Sequence, residues 1–364
     1  MRSLFIISTE REYGGAERSI EIVADRLQRD VKLTIFAYST KHVAALTKVL
    51  RPPSRVIRLP RGGKAWDTAR SVRELLVYIA ALRPDAILTN TNLSAKMVAA
   101  VAHVLPCISR RTFIYVRDFM WTDFDRIFRS LNRARVLIPG PALLDRPNYL
   151  ASYLAPRGTM QWSMVGNSVC LPTQIARSNA SDGYVLHLAT ANLFKGHYHL
   201  IRTAALLRDR GVPMRFISRG AIANPALWSA FHGLIFSWGL AKLFALWDAV
   251  EDPSEHLRGS LCVVVASISH FGGPETFGRT IIEAWAHGKP VVAFDAGGAH
   301  YLIEHGHDGL LVPEGNVEAL ADALQLLKQR PDLRCRLAEN GLAKVRRFFT
   351  PDKVARDLRA VLQV

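Results

Sequence analysis

Short apolar runs alternate along this chain with longer segments in which apolar residues recur every three or four positions. Strands that are covered on both faces are continuously apolar, so each short run predicts a buried strand. In the first half these runs lie at 4–7, 31–36, 86–88, 112–116 and 135–138. Helical spacing between them is seen at 16–28, 71–82 and 94–104. The alternation predicts parallel strands joined by helical crossovers.

The same alternation restarts after a polar linker at 172–183. Further strands are predicted at 184–188, 214–218, 261–266 and 291–294. Further helices are predicted at 199–210, 280–287, 317–329, 331–349 and 352–364. We therefore predict an α/β chain with two doubly wound, Rossmann-like domains, 1–172 and 183–349, followed by a terminal helix at 350–364. Ligands of such sheets lie at the carboxyl ends of the strands, and a shared site would lie in a central cleft that the two domains face.

Two segments interrupt this pattern. Residues 51–63 are basic and rich in proline and glycine, so we expect a region dominated by loops there. Residues 227–250 are strongly apolar, but the charges of Lys242 and Asp248 argue against a membrane span. Gly233 and Gly239 also break a helical pattern, and we expect a helix, a turn near Gly239-Leu240 and then a buried strand.

Composition narrows the class of protein. A chain of 364 residues with 49% hydrophobic and 21% charged residues is typical of a folded protein with two domains, which excludes a disordered chain. Its four cysteines have no C-x-x-C spacing, which predicts a reducing compartment and no metal cluster. The first apolar run has four residues, too few for the core of a signal peptide. We therefore expect a cytoplasmic protein.

The net charge of +16 is unevenly distributed. Residues 1–170 carry 26 basic and 13 acidic side chains, a net +13, which leaves +3 for the remainder. Between Lys41 and Arg73, nine basic residues accompany the single acid Asp67. This excess fits either an ordinary solvated face or a surface for anionic lipid headgroups or a polyanionic acceptor. No nucleic-acid motif is present, so we expect no nucleic-acid partner.

The segment Pro274–Ala284 carries the most informative chemistry. Glu275 and Glu283 flank Gly278, and an apolar run that begins a helix follows the glycine. A helix start offers unpaired backbone N–H groups and the positive end of the helix dipole, which bind an anion. Carboxylates accept hydrogen bonds strongly from sugar hydroxyls. A phosphate and a polyol bound together describe a nucleotide-sugar.

These residues resemble the retaining glycosyltransferases of family four, which have the two-domain GT-B fold. The resemblance rests on Pro274-Glu275-Thr276-Phe277-Gly278, Glu283-Ala284-Trp285-Ala286 and Gly288-Lys289-Pro290-Val291-Val292, with Gly14-Gly15-Ala16-Glu17 and Lys195-Gly196 as further matches. It implies transfer of a hexose from a UDP- or GDP-sugar to an acceptor hydroxyl, with retention of configuration. It implies no cofactor and no metal, and no D-x-D pair lies where a metal-dependent transferase needs one. It also implies that the terminal helix packs back on the first domain.

The resemblance assigns the donor mainly to the second domain. Glu275 would bind the sugar hydroxyls, Glu283 the ribose, and Lys195 the leaving diphosphate. The donor-binding residues that it implies are Gly15, Thr190, Lys195, Val250, Glu275, Thr276, Phe277, Gly278, Arg279, Thr280 and Glu283. Thr190 departs from the family, which usually has an arginine at this position; the candidates that could replace its charge are Arg18, Arg219 and Arg279.

The acceptor is assigned to the first domain, at Gly14, Arg117 and Asp118. Relatives often have a histidine where Arg117 stands, and arginine cannot act as a base. Asp118 could accept the proton of the acceptor hydroxyl or orient that hydroxyl. Asn167 matches a turn that closes the first domain in the family. The predicted catalytic residues are therefore Glu275, Lys195 and Asp118.

The basic first domain favours an anionic or lipid-linked glycan as acceptor, such as a polyprenyl-diphosphate glycan or a lipopolysaccharide core. We expect synthesis of cell-surface glycans, with peripheral contact at an anionic membrane. Three alternatives stay open: a non-catalytic subunit that binds nucleotide-sugar or glycan, a GT-B epimerase, and a phosphorylase. The last would need a lysine for pyridoxal phosphate, for which no motif is visible.

Overall fold

A computed structural model describes residues 1–10, 13–60, 65–119, 121–145, 160–175 and 183–364. The chain folds as two compact units. The first unit comprises residues 1–168 and 350–364, and the second comprises residues 169–349. Each unit is built around one sheet.

The first unit contains a parallel sheet in the order β3-β2-β1-β4-β5-β6-β7. Its strands are β1 (Arg2–Ser8), β2 (Val31–Ala37), β3 (Arg55–Arg58), β4 (Ala86–Thr89), β5 (Thr112–Tyr115), β6 (Arg135–Ile138) and β7 (Gln161–Met164). Its helices up to this point are α1 (Gly15–Leu27), α2 (Thr40–Val49), α3 (Ala65–Leu82), α4 (Asn92–Val104) and α5 (Phe124–Ser130), with 3-10 turns at Pro106–Arg111 and Pro141–Leu144.

Both faces of this sheet are covered. Leu4 and Ile6 of β1 belong to one apolar cluster, together with Ile20 of α1. Phe5 and Ile7 belong to the other cluster, on the opposite face. Successive strand side chains point to opposite faces, which explains why the four residues from Leu4 to Ile7 at the centre of β1 are all apolar.

The second unit contains a parallel sheet in the order β10-β9-β8-β11-β12-β13. Its strands are β8 (Tyr184–Leu188), β9 (Phe216–Gly220), β10 (Phe244–Asp248), β11 (Ser260–Val265), β12 (Val291–Phe294) and β13 (Leu310–Val312). Its helices are α6 (His197–Asp209), α7 (Pro225–Ser237), α8 (Ser254–Gly259), α9 (Arg279–Ala286), α10 (Gly298–Leu302), α11 (Val317–Gln329) and α12 (Pro331–Phe348), with a 3-10 turn at Leu193–Lys195.

The terminal helix α13 (Pro351–Leu362) belongs to the first unit. Val354 and Leu358 join the apolar cluster that contains Ile20 of α1. Arg26 of α1 also pairs with Asp352 at 3.1 Å. The amphipathic pattern of the last residues therefore buries its apolar side against α1.

The two Rossmann-like sheets confirm the predicted fold class, but two local predictions are wrong. Within the region expected to be loops, residues 55–58 form the edge strand β3, which pairs with β2. Gly233 does not break α7, which continues to Ser237. A glycine within a helix costs only about 1 kcal/mol, and the burial of Phe231 and Ile235 outweighs that cost.

Gly239 does adopt a left-handed conformation, with φ of 67°, just beyond the end of α7. In the described parts of the chain, no helix combines the length and the apolar character that a membrane crossing needs.

Candidate functional site

Lys195 lies in the loop that connects β8 to α6, at the carboxyl edge of the second sheet. The following residue, Gly196, has φ of 76°, which favours glycine. A Cβ at Gly196 would also lie 1.9 Å from the carbonyl oxygen of Ala266. The loop is therefore packed against the backbone that follows β11, and this packing fixes the position of Lys195.

Glu275 lies in the loop between β11 and α9. The N–H of Gly298 donates to the carbonyl oxygen of Glu275 at 2.7 Å. Gly278, with φ of 90°, makes the turn that begins α9. The side chains of Thr276 and Phe277 are buried, so this loop presents its backbone rather than those side chains. Phe277 packs against Phe349, with ring centroids 5.7 Å apart.

The structure brings Lys195 and Glu275 into direct contact, although 80 positions separate them in the sequence. The Nζ of Lys195 contacts Oε1 of Glu275, and the two side chains are 18% and 29% exposed. Solvent still reaches both groups, so each could exchange this partner for a bound molecule. Sequence motifs predicted each residue separately but did not indicate that they pair.

Arg279 and Glu283 form a second ion pair, on the first turns of α9. The Nε of Arg279 lies 2.8 Å from Oε1 of Glu283, and the side chains are 15% and 13% exposed. Residues four apart lie on one face of a helix, which explains the pairing. The hydroxyl of Thr280 donates to the carbonyl oxygen of Leu188 at 3.3 Å, which ties α9 to the end of β8.

Thr190 lies two residues beyond the end of β8, next to the end of β9. A Cβ at Gly220 would lie 2.8 Å from the backbone nitrogen of Thr190. Arg219 precedes that glycine, lies over the ring of Trp247 at 5.1 Å and donates to the carbonyl oxygen of Asp248 at 2.9 Å.

Arg219 therefore places a cation on the strand beside Thr190. It lines a cavity of about 460 Å³ together with Trp228, Leu246, Trp247 and Asp248. Val250, predicted to flank the base, lies two residues beyond β10 and is exposed. The sequence analysis did not identify Trp228 as a site residue, although its position at the carboxyl edge of the sheet was a usable signal.

A pair of buried histidines supports the loop of Lys195. The Nε2 of His187 lies 3.1 Å from the carbonyl oxygen of Lys195, and its Nδ1 lies 2.9 Å from the hydroxyl of Ser218. A carbonyl can only accept, so Nε2 carries the proton and Nδ1 accepts from Ser218. His197 packs edge-on against His187 at 4.7 Å and stacks on Phe231 at 5.1 Å.

Both histidines are held neutral. Burial lowers the pKa of His187 well below its usual value, and the nearby His197 and Lys195 lower it further. Burial, followed by the charge of Lys195, lowers the pKa of His197 to about 4. Of His187, His197 and Lys195, therefore, only Lys195 carries a positive charge.

The neutral state of His197 predicts acid destabilisation. The unfolded chain binds this proton near pH 6.5, whereas the folded chain binds it near pH 4. The contribution of the neutral His197 to the free energy of unfolding is therefore complete above pH 6.5. It falls as the pH drops towards 4, by roughly 3 kcal/mol in all. We expect His197→Phe, which keeps the stacking on Phe231, to unfold in urea with a weaker dependence on pH between 7 and 4.5. Equal slopes in the variant and the wild type would contradict this origin.

In the first unit, Arg117 follows β5 and is held by a polar network. Its Nε donates to Oδ1 of Asn90 at 2.6 Å, and its Nη1 donates to Oδ1 of Asn167 at 2.6 Å. The guanidinium lies 3.7 Å from the centroid of the Tyr115 ring. Asn90 in turn donates to the carbonyl oxygen of Ala16 at 3.0 Å, which connects the network to the start of α1.

Gly14 and Gly15 lie at the start of α1 and are exposed. Gly14 has a negative φ of -146°, and a Cβ there would lie 3.6 Å from its nearest neighbour, the Oε2 of Glu17. Neither its conformation nor its packing therefore requires glycine. The N–H of Gly14 donates to that carboxylate at 3.0 Å, and burial raises the pKa of Glu17. Ser19 donates to Gly15 and Asn167, which holds the same turn.

Asp118 is exposed and directly follows Arg117. The structure therefore places Gly14, Gly15, Arg117 and Asp118 at the carboxyl edge of the first sheet. Asn90 and Glu17 were missed as site residues. Asn90 directly follows β4, as Arg117 follows the end of β5, so its place after a strand was a usable signal.

Comparison with known proteins finds a family model, similar sequences and similar structures. Residues 183–329 match the family model described as "Glycosyl transferases group 1". The D-inositol 3-phosphate glycosyltransferase of Jonesia denitrificans is 30% identical over 197 residues, which cover 52% of this chain and 45% of that protein. The exopolysaccharide phosphotransferase SCO2592 of Streptomyces coelicolor is 40% identical over 225 residues, which cover 61% of this chain and 20% of that protein.

Among solved structures, Anabaena HepE in complex with UDP-glucose has a TM-score of 0.81 and covers 100% of both chains, at 20% identity. At 20% identity, this structural similarity establishes that the two proteins share a fold. The chain spans less than half the length of the two curated relatives named above.

The two Rossmann-like units and the matched structures define a protein of the GT-B fold, and the resemblance to the family-four glycosyltransferases is confirmed. Within that class, residues 183–329 of the second unit match the model of the group 1 glycosyl transferases.

Proposed function

We propose that this protein transfers a sugar from a nucleoside-diphosphate-sugar to an acceptor hydroxyl, with the donor bound on the second unit. The observation that carries the proposal is the contact between Lys195 and Glu275 beside the start of α9. A cation for a diphosphate and a carboxylate for sugar hydroxyls lie next to each other there, as the donor requires.

The roles follow from the chemistry of each group. Glu275 accepts hydrogen bonds from the sugar hydroxyls, and Lys195 neutralises the charge that develops on the departing diphosphate. Glu283 accepts from the ribose hydroxyls. The backbone N–H groups around Gly278, with the positive end of the α9 dipole, bind the phosphate oxygens. No metal or other cofactor is invoked, because these groups supply the positive charge.

Transfer with retention needs no basic side chain in this scheme. A leaving phosphate oxygen takes the proton of the acceptor hydroxyl, and the new glycosidic bond forms on the same face of the sugar. Asp118 orients that hydroxyl. Gly14 leaves room for the acceptor, since the structure gives no other reason for glycine at this position.

The acceptor that we propose is an anionic or lipid-linked glycan. The first 170 residues carry a net charge of +13, which attracts anions. One relative is named for inositol 3-phosphate and another for an exopolysaccharide, and both names are compatible with an acceptor of this kind. The same charge favours peripheral contact with an anionic membrane on its cytoplasmic face, in the synthesis of cell-surface glycans.

Donor binding is tested by titrating UDP- and GDP-sugars into the wild type and into Glu283→Gln. Loss of the carboxylate charge weakens its hydrogen bonds to ribose hydroxyls, so we expect about tenfold weaker binding of the donor. The matched control is Glu339→Gln, which removes an exposed carboxylate from α12 of the same unit. Equal affinities of the two variants would contradict the role of Glu283.

One alternative has specific support. Thr190 lacks the arginine that is usual in the family, and Arg117 replaces a histidine and is held by Asn90 and Asn167. Both departures are compatible with a subunit that binds a nucleotide-sugar without turning it over. An epimerase would differ from a transferase and from a binding subunit because it would act on the donor in the absence of any acceptor.

A further inference from the structure

A second cavity lies at the other edge of the first unit's sheet. It measures about 640 Å³, within the range of roughly 300–1,000 Å³ that is typical of small-molecule sites. It is lined by the end of α3, the segment after α4 and the residues that precede β4, β5 and β6. Gly14, Arg117 and Asp118 follow the carboxyl ends of parallel strands, so this cavity belongs to the opposite, amino edge.

The walls of the cavity are apolar. Ile79 of α3, Ile87 of β4 and Ile108 of the following 3-10 turn line its interior and are buried. Leu82 and Val104, which end α3 and α4, are 44% and 63% exposed. These two exposed apolar residues directly precede Arg83 and Leu105, which line the cavity.

Cations surround the same cavity. Arg83, Arg110, Arg111 and Arg133 line it, and all four are exposed. Among the described residues that line it, none carries a carboxylate. The neighbouring Asp85 is bound by the backbone and the hydroxyl of Ser3, which, with the charge of Arg111, lower its pKa.

We propose that this cavity binds an anionic amphiphile, a molecule with a phosphate group on one apolar chain. The chain would lie against the three isoleucines, and the phosphate would accept hydrogen bonds from the guanidinium groups, which bind phosphate in a bidentate manner. The site is additional to the donor and acceptor sites, and it does not depend on the proposed transfer activity. Such a ligand is available either as a lipid of a bilayer or as a free molecule.

Cys107 provides a direct readout, because it lines the cavity and is exposed. We expect monomeric dodecyl phosphate to slow the alkylation of Cys107 by about tenfold at saturation, measured by mass spectrometry of the peptides. Cys170, also exposed, lies in the second unit and should react at an unchanged rate. Protection by phosphatidylglycerol vesicles, but not phosphatidylcholine vesicles, would identify a bilayer lipid as the source; protection by the monomer alone would identify a free amphiphile.

Two double variants with the same loss of charge test the position of the site. Arg110→Gln with Arg133→Gln should weaken dodecyl phosphate binding by at least about tenfold, whereas Arg58→Gln with Arg73→Gln should not. Arg58 and Arg73 are exposed residues of the same unit outside the cavity. Ala80→Trp, which fills the cavity without changing the charge, should also weaken binding.

Three results would overturn the proposal. The first is an unchanged alkylation rate of Cys107 with dodecyl phosphate. The second is equal weakening by the two pairs of arginine substitutions, which would indicate attraction by the overall charge. The third is equal protection by inorganic phosphate, which would show that the apolar wall contributes nothing.

Discussion

Glu275→Ala is expected to reduce kcat/KM for sugar transfer by about a thousandfold or more, about 4 kcal/mol, while the protein stays folded. The substitution removes the carboxylate that accepts from the sugar hydroxyls, and it also removes the partner of Lys195. The side chain is 29% exposed, and ion pairs that solvent reaches contribute about 1 kcal/mol or less to stability. Initial rates and thermal unfolding of the same preparation measure both effects.

Two controls separate the role of Glu275 from a general loss of charge. Glu275→Gln keeps the size and one carbonyl acceptor, so it should retain more activity than Glu275→Ala. Glu339→Ala removes an exposed carboxylate from α12 and should leave kcat/KM unchanged. Near-normal turnover by Glu275→Ala would refute the role assigned to this residue.

Lys195→Ala is expected to lower kcat by about a hundredfold to a thousandfold, with a smaller change in KM. The cation acts mainly as the diphosphate departs, when its negative charge is greatest, so its loss raises the barrier of the chemical step. Lys195→Arg keeps the charge but changes its geometry, and it should recover only part of the rate. Steady-state kinetics with a fixed acceptor measure the two parameters separately.

The double variant examines the contact between the two side chains. Residues in direct contact show non-additive effects, so Glu275→Ala with Lys195→Ala should cost less than the sum of the single changes. A strictly additive result would mean that the two groups act independently. A rise in KM for Lys195→Ala with kcat unchanged would contradict its role at the departing phosphate.

The sequence predicted most of the two sheets because their strands are covered on both faces and are therefore continuously apolar. It failed where a segment has little buried surface. In α2 only His42 and Leu46 are buried, and the edge strand β3 has no fully buried residue, so basic side chains obscured both patterns. The helix break predicted at Gly233 was wrong for the opposite reason, because tertiary packing of α7 outweighed the low helix propensity of glycine.

The residues of the candidate site also fall into a group that the sequence predicted and a group that it did not. Glu275, Gly278 and Glu283 were predicted because they share one short motif whose local geometry carries the chemistry. The network of Arg117, Asn90 and Asn167 was not, because its members come from distant parts of the chain and meet only in the folded unit. The cavity bordered by four arginines depends in the same way on several elements that meet at one edge of a sheet.

The most direct test of the proposed function is nucleotide release from a panel of UDP- and GDP-sugars, with and without a lipid extract as the source of acceptor. We predict that one donor releases its nucleotide when the extract is present and that Glu275→Gln releases much less. Tight binding of a donor without release under any condition would contradict the proposal and favour a binding subunit. Conversion of the donor without extract would contradict it in favour of an epimerase.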